Sequence, residues 1–114
     1  MKLDFQHEGN NVIIVKINGE IDMGNADNYI AEIANYKDGD YKLIFDFSQV
    51  NFIDSTGIGM LIKFFKDNEK LKYTITNVQK DIQEIFDILN LAEVLGADRF
   101  QSTIEDALAL LAQD

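Results

Sequence analysis

The apolar positions change period along the chain, and the changes mark out its elements. VIIVKI, residues 12–17, is a continuous β-branched run without the alternation of a strand that keeps one face in water. Such runs suit a strand covered on both faces. KLDFQ at 2–6 precedes it, and EGNN at 8–11 is a turn signal, so the two strands are expected to form a hairpin. After NGEID, Ala26, Tyr29, Ile30, Ile33 and Ala34 recur at helical spacing, and Gly39 in KDGD is a stop signal. KLIFDF at 42–47 reads as the next strand, followed by Ile58, Leu61, Ile62 and Phe65 at i, i+3, i+4, i+7 on one helix face. YTIT at 73–76 is a short strand, and Val78, Ile82, Ile85, Phe86 and Leu89 form the clearest helical stripe. STIE at 102–105 has capping-box spacing before a helix whose inner face is Ile104, Ala107, Leu108 and Leu111. A short strand is expected somewhere in 94–100. The order β-β-α-β-α-β-α, a short strand, then α predicts an α/β fold with about four helices. Its sheet is mixed but mainly parallel, with an N-terminal hairpin and right-handed crossovers.

Size and charge narrow the reading. A chain of 114 residues without proline, low-complexity tract or internal repeat is expected to be one domain, residues 1–114. At this length folding buries roughly two-thirds of the unfolded chain's surface, enough for one core without staples. There is no cysteine, hence no disulfide and no thiolate metal site. MKLDFQHEGN has no apolar signal-peptide core, and no apolar run approaches the roughly 20 residues that span a bilayer, so the expected location is the cytosol. Ten basic against 20 acidic residues leave a formal charge of −10, which opposes binding to nucleic acid or to anionic membranes. The acidity serves solubility or meets a partner with a basic docking surface.

The candidate chemistry is concentrated in FIDSTGIGML, residues 52–61, where a strand-like run ends in Asp54, Ser55 and Thr56 and two glycines follow. A nucleophile elbow, G-x-S-x-G, fails because Ile53 stands two before Ser55, and the single histidine, His7, lies on the predicted first strand. The GxGxxG reading of Gly57 and Gly59 ends at Ile62, and no P-loop or complete calcium loop is present. Asp46 in LIFDF has some of the look of a phosphate-accepting receiver aspartate, with Glu20 and Asp22 as further acids, but no late-strand lysine stands out. Asp54, Ser55 or Thr56 can each cap the following helix. Capping leaves the glycines unexplained, since each costs about 1 kcal/mol against alanine in a helix. They offer bare backbone that another protein can approach. Opposite the apolar face lie Thr56, Gly59, Met60, Lys63 and Asp67, with Phe64 on the flank. Lys63, Lys66, Lys70 and Lys72 form either a solvated face or the rim of a protein-docking patch.

DSTGIG, residues 54–59, resembles the phosphorylation loop of the bacterial anti-sigma factor antagonists, which are STAS domains, and GEID at 19–22 resembles that family's stretch after the second strand. The resemblance extends along essentially the whole chain and implies a STAS-like sheet and a transcription-regulating switch rather than an enzyme, with no cofactor and no metal. The unphosphorylated domain is then expected to bind an anti-sigma factor with serine kinase activity and release a sigma factor. Phosphorylation at Ser55 ends the binding, and a serine phosphatase reverses it. Asp22 and Asp54 match family positions at the serine, and Thr56, Gly57, Gly59, Met60, Lys63 and Phe64 complete the expected partner surface. NVQKDIQEIFDILNL departs from the family in lacking a proline at its start and a glycine near its end, where Asn90 stands. The alternatives are a receiver-type response regulator phosphorylated at Asp46 and a scaffold subunit of a larger STAS assembly. The absence of an added sensory domain favours a free-standing antagonist.

Overall fold

The structure, a computed structural model, describes residues 2–111. Five strands and five α-helices follow in the order β1 (Lys2–His7), β2 (Val12–Ile21), α1 (Ala26–Ile33), β3 (Lys42–Ile53), α2 (Ser55–Asp67), β4 (Lys72–Thr76), α3 (Lys80–Ile88), α4 (Leu91–Leu95), β5 (Phe100–Gln101) and α5 (Ile104–Leu111). The sheet runs β1-β2-β3-β4-β5. The hairpin β1–β2 is antiparallel and every other pair is parallel, as the alternation of strands and helices implies. The hairpin turn places Gly9, Asn10 and Asn11 at positive φ, a conformation that glycine and asparagine tolerate.

The pleat divides the core. Ile13, Val15, Ile17, Leu43, Phe45, Phe47, Tyr73 and Ile75 share a cluster with side chains from α1, α2, α3 and α4. Val12, Ile14 and Ile44 pack instead with Ala107 and Leu111 of α5. The VIIVKI strand is thus covered on both sides. Phe45 sits edge-on to Phe65 at 5.4 Å, and Phe65 stacks on Tyr73 with centroids 4.1 Å apart. Arg99, the chain's single arginine, lies 4.1 Å over the Tyr73 ring. It donates to the Leu71 and Glu69 carbonyls at 2.7 and 2.9 Å, tying the turn before β5 to the entry of β4.

Several elements differ from the sequence reading. β3 runs on to Ile53, six residues past the apolar run, because β2 also continues to Ile21 and the two stay paired. The predicted third helix is two: Asn90 adopts φ 54° and separates α3 from α4. Asparagine, after glycine, is the residue that takes this left-handed conformation at a helix end. β5 begins at Phe100, the last residue of the expected 94–100 window, and ends at Gln101. The cap of α5 is Thr103, whose Oγ1 accepts from Asp106 N–H at 3.1 Å, so the cap lies one residue later than STIE suggests. Leu108 is exposed rather than on the inner face.

The largest correction concerns α2. Its buried residues are Gly57, Ile58, Leu61, Phe64 and Phe65, while Ile62 is half-buried. The helix is turned so that Phe64, expected on an exposed flank, packs edge-on to Phe65 at 5.6 Å with 7% of its surface exposed. It belongs to the core and presents no ring to a partner. Phe64→Ala is expected to lower the unfolding free energy by about 3–5 kcal/mol in urea titration. A loss within the roughly 0.5 kcal/mol usual for surface positions contradicts this packing.

Candidate functional site

β2 and β3 are parallel and end together at the pair Ile21–Ile53, so the segments that follow them lie side by side at the carboxyl edge of the sheet. Asp54 joins the two. Its N–H donates to the Ile21 carbonyl at 3.1 Å, and its extended backbone makes it the N-cap of α2. Oδ1 accepts from Gly57 N–H at 2.7 Å, and Oδ2 accepts from Met23 N–H at 3.1 Å. One carboxylate therefore caps the helix and holds the loop after β2. Of the three capping candidates the structure uses Asp54. Ser55 is the first residue of α2 and exposed, and Thr56 beside it is exposed as well.

The loop after β2 is a tight turn into α1. Asp22 Oδ1 accepts from Gly24 N–H at 2.9 Å, and its carbonyl accepts from the Asn25 and Ala26 amides. Asn25, buried, accepts from Asp22 N–H at 3.0 Å and donates from Nδ2 to the Glu20 carbonyl at 2.9 Å. Asn25 and Met23 were missed in the sequence. The signal available was an aspartate followed three residues later by asparagine just before a helix. Beneath this turn Tyr29 is buried, and burial first, then the charges of Asp22 and Glu32, push its hydroxyl above the usual tyrosine range.

The two glycines have different reasons. A Cβ on Gly57 would stand 2.7 Å from the Ile21 carbonyl oxygen, whereas one on Gly59 would meet nothing within 4 Å. Gly57 is thus required by the chain's own β2–α2 contact and is buried, which corrects its reading as backbone bared for a partner. Gly59 is exposed and open. Met60 is half-buried, and Lys63 is exposed with its ammonium 2.8 Å from Asp67, a hydrogen bond that raises its pKa. Lys66 pairs with Glu69 at 3.4 Å, so these two members of the lysine cluster are matched by acids.

Between α2 and α3 an open groove of about 440 Å³ begins at Ser55 and Gly59 and is walled by Ile53, Ile58, Ile62, Ile85, Ile88 and Leu89. A larger hollow of about 730 Å³ lies away from Ser55, lined by Lys37, Asp40, Lys66, Lys70 and other polar residues, and none of the junction residues reaches it. Asp46 is buried and accepts from Ser48 N–H at 2.9 Å and Asn77 Nδ2 at 3.2 Å, which binds β3 to the end of β4. Among the described residues no group of three or more His, Asp or Glu side chains gathers to hold a metal ion.

The glycine contrast gives a stability test. Gly59→Ala is expected to stabilise the fold by about 1 kcal/mol through helix propensity. Gly57→Ala is expected to destabilise it, because its Cβ meets backbone that cannot move aside. Urea titration of the two variants checks both signs.

Comparison with known proteins agrees with this architecture. The fold matches the anti-sigma factor antagonist SpoIIAA in its unphosphorylated form at TM-score 0.77 and 18% identity, over 99% of this chain and 98% of that one. A putative anti-sigma factor antagonist from Thermotoga maritima gives TM-score 0.83 at 18% identity, over 96% and 94%. A sulfate transporter family protein from Wolinella succinogenes gives TM-score 0.78 at 26% identity, over 96% and 93%. The STAS domain model matches residues 4–107, nearly the whole chain, and the protein belongs to the STAS domain family.

Proposed function

We propose that this chain is a phosphorylation-controlled binding module of the cytoplasm, in which unmodified Ser55 lies within the docking surface for an anti-sigma factor with serine kinase activity. The observation that carries the reading is the division of labour at the junction. Asp54 does the capping, so the exposed Ser55 hydroxyl is left for other use. Asp22, Thr56, Gly59, Met60 and Lys63 are the surrounding candidates for contact. The likeness to SpoIIAA and to the Thermotoga maritima protein supports the anti-sigma factor as the kind of partner.

The chemistry is phosphoryl transfer. Ser55 Oγ attacks the γ-phosphorus of ATP, the bond to the β-phosphate oxygen breaks, ADP leaves and the hydroxyl proton is released. A serine phosphatase restores the hydroxyl by hydrolysis. The modification adds about −1.5 to −2 charges to a protein already at −10. The N-terminus of α2 accommodates an anion, so the fold persists. Against the phosphate stand Asp54 and the neighbouring Asp22. Unit charges roughly 6 Å apart at an effective dielectric near 20 repel by about 2–3 kcal/mol, less in salt. A hundredfold loss of affinity needs only about 2.7 kcal/mol. Local repulsion and desolvation are then enough to release the partner without a large conformational change.

A second reading is favoured by the likeness to the Wolinella succinogenes transporter-family protein: a STAS subunit that docks within a larger assembly and is not modified. Incubation with the kinase and ATP, followed by mapping of the phosphate by mass spectrometry, separates the readings. Label is expected on Ser55, lost in Ser55→Ala and kept in Asp46→Asn. With magnesium and a small phosphodonor in place of the kinase, label kept in Ser55→Ala and lost in Asp46→Asn marks a receiver instead, and no label under either condition favours the assembly subunit. Ser55→Ala is expected to bind the partner constitutively and Ser55→Asp about a hundredfold more weakly. Equal affinities defeat the switch.

A further inference from the structure

We propose that Met23 is an apolar anchor of the partner surface and that Asp54 positions it in a way that depends on the state of Ser55. The inference rests on the reading of Ser55 given above. Met23 leaves 73% of its surface in water although the turn around it is tightly built. The carboxylate of Asp22, the amide of Gly24 and both polar ends of Asn25 are engaged within that turn and with the Glu20 carbonyl. The exposed Met23 side chain thus springs from an ordered backbone, which Asp54, the residue before Ser55, ties to the start of α2. A flexible, polarisable thioether fixed in this way suits a protein contact.

The link to Ser55 is the second oxygen of Asp54. Oδ1 holds Gly57 N–H at 2.7 Å, while Oδ2 holds Met23 N–H at the longer distance of 3.1 Å. A phosphate on the adjacent residue repels this carboxylate. It also offers its own oxygens to the amides at the start of α2. The Oδ2 bond is the one that leaves the helix for the neighbouring loop, and we infer that it is lost when the carboxylate turns away from the phosphate. Met23 then loses the contact that fixes its backbone, and the partner loses an ordered anchor as well as meeting new charge.

The test uses phosphoserine placed genetically at position 55, which needs no kinase. Amide hydrogen exchange is followed by NMR at Met23 and Gly57 in the unmodified, phosphoserine and Asp54→Asn proteins. Asparagine retains one acceptor oxygen and so caps Gly57 without also holding Met23. Met23 exchange is expected to quicken by about tenfold or more in both altered proteins, with Gly57 still protected in Asp54→Asn. Unchanged Met23 exchange in both overturns the positioning role. With the purified Ser55 kinase, Met23→Ala is expected to bind at least about tenfold more weakly at unchanged Tm, and Met23→Leu within about threefold of the parent. Parent-like affinity of Met23→Ala overturns the anchor. Should the parent chain bind no Ser55 kinase, the proposed function fails and the anchor with it. The exchange data then still decide whether Asp54 positions Met23.

Discussion

Everything at the carboxyl edge of the sheet depends on how closely α2 approaches the end of β2. The Ile21 carbonyl accepts from Asp54 N–H and faces Gly57, where a side chain would stand 2.7 Å away. With that approach made, the Asp54 carboxylate reaches Gly57 on its own helix and Met23 on the neighbouring loop. The segments after β2 and β3 become one unit, and Ser55 is carried at its surface with its hydroxyl unused by the cap. The same geometry accounts for a rigid scaffold and an exposed serine at the helix mouth.

This arrangement also bears on the proposed switch, for which a small chemical change there would be enough. The junction stands on a rigid base, since Ile21 is fully buried and Ile53 nearly so. Under the proposed switch, a phosphate at Ser55 would add its charge beside the Asp54 carboxylate, which the fold already requires. Lys63 and Lys66, the nearest cations along α2, are engaged by Asp67 and Glu69. Repulsion therefore acts at the surface rather than on the core.

Much of the fold was legible because helix and strand periods are local. The hairpin, the doubly covered VIIVKI strand and the Ile82, Ile85 and Phe86 part of the α3 stripe followed from spacing, and so did the mainly parallel sheet, whereas Leu89 lies past the helix and is exposed. The site was legible in part. The junction stood out because hydroxyls, a carboxylate and glycines interrupt an apolar pattern, but the pattern could not say which residue caps the helix. Phe64 was misplaced because α2 has apolar residues over a wide arc, and periodicity accepts more than one inward face. Met23 and Asn25 went unnoticed because their roles come from contacts with Asp54 and Glu20 that no period expresses.

By itself the sequence determined the alternation of elements, the acidic character and the placing of Ser55 at the mouth of a helix. Each depends on neighbours along the chain, through hydrogen-bond period, side-chain polarity and capping chemistry. Only the tertiary structure decided the rotation of α2, the internal necessity of Gly57 against the openness of Gly59, and the sharing of Asp54 between helix and loop. These are set where β2 meets α2, two segments distant in sequence, by the space left beside one carbonyl oxygen.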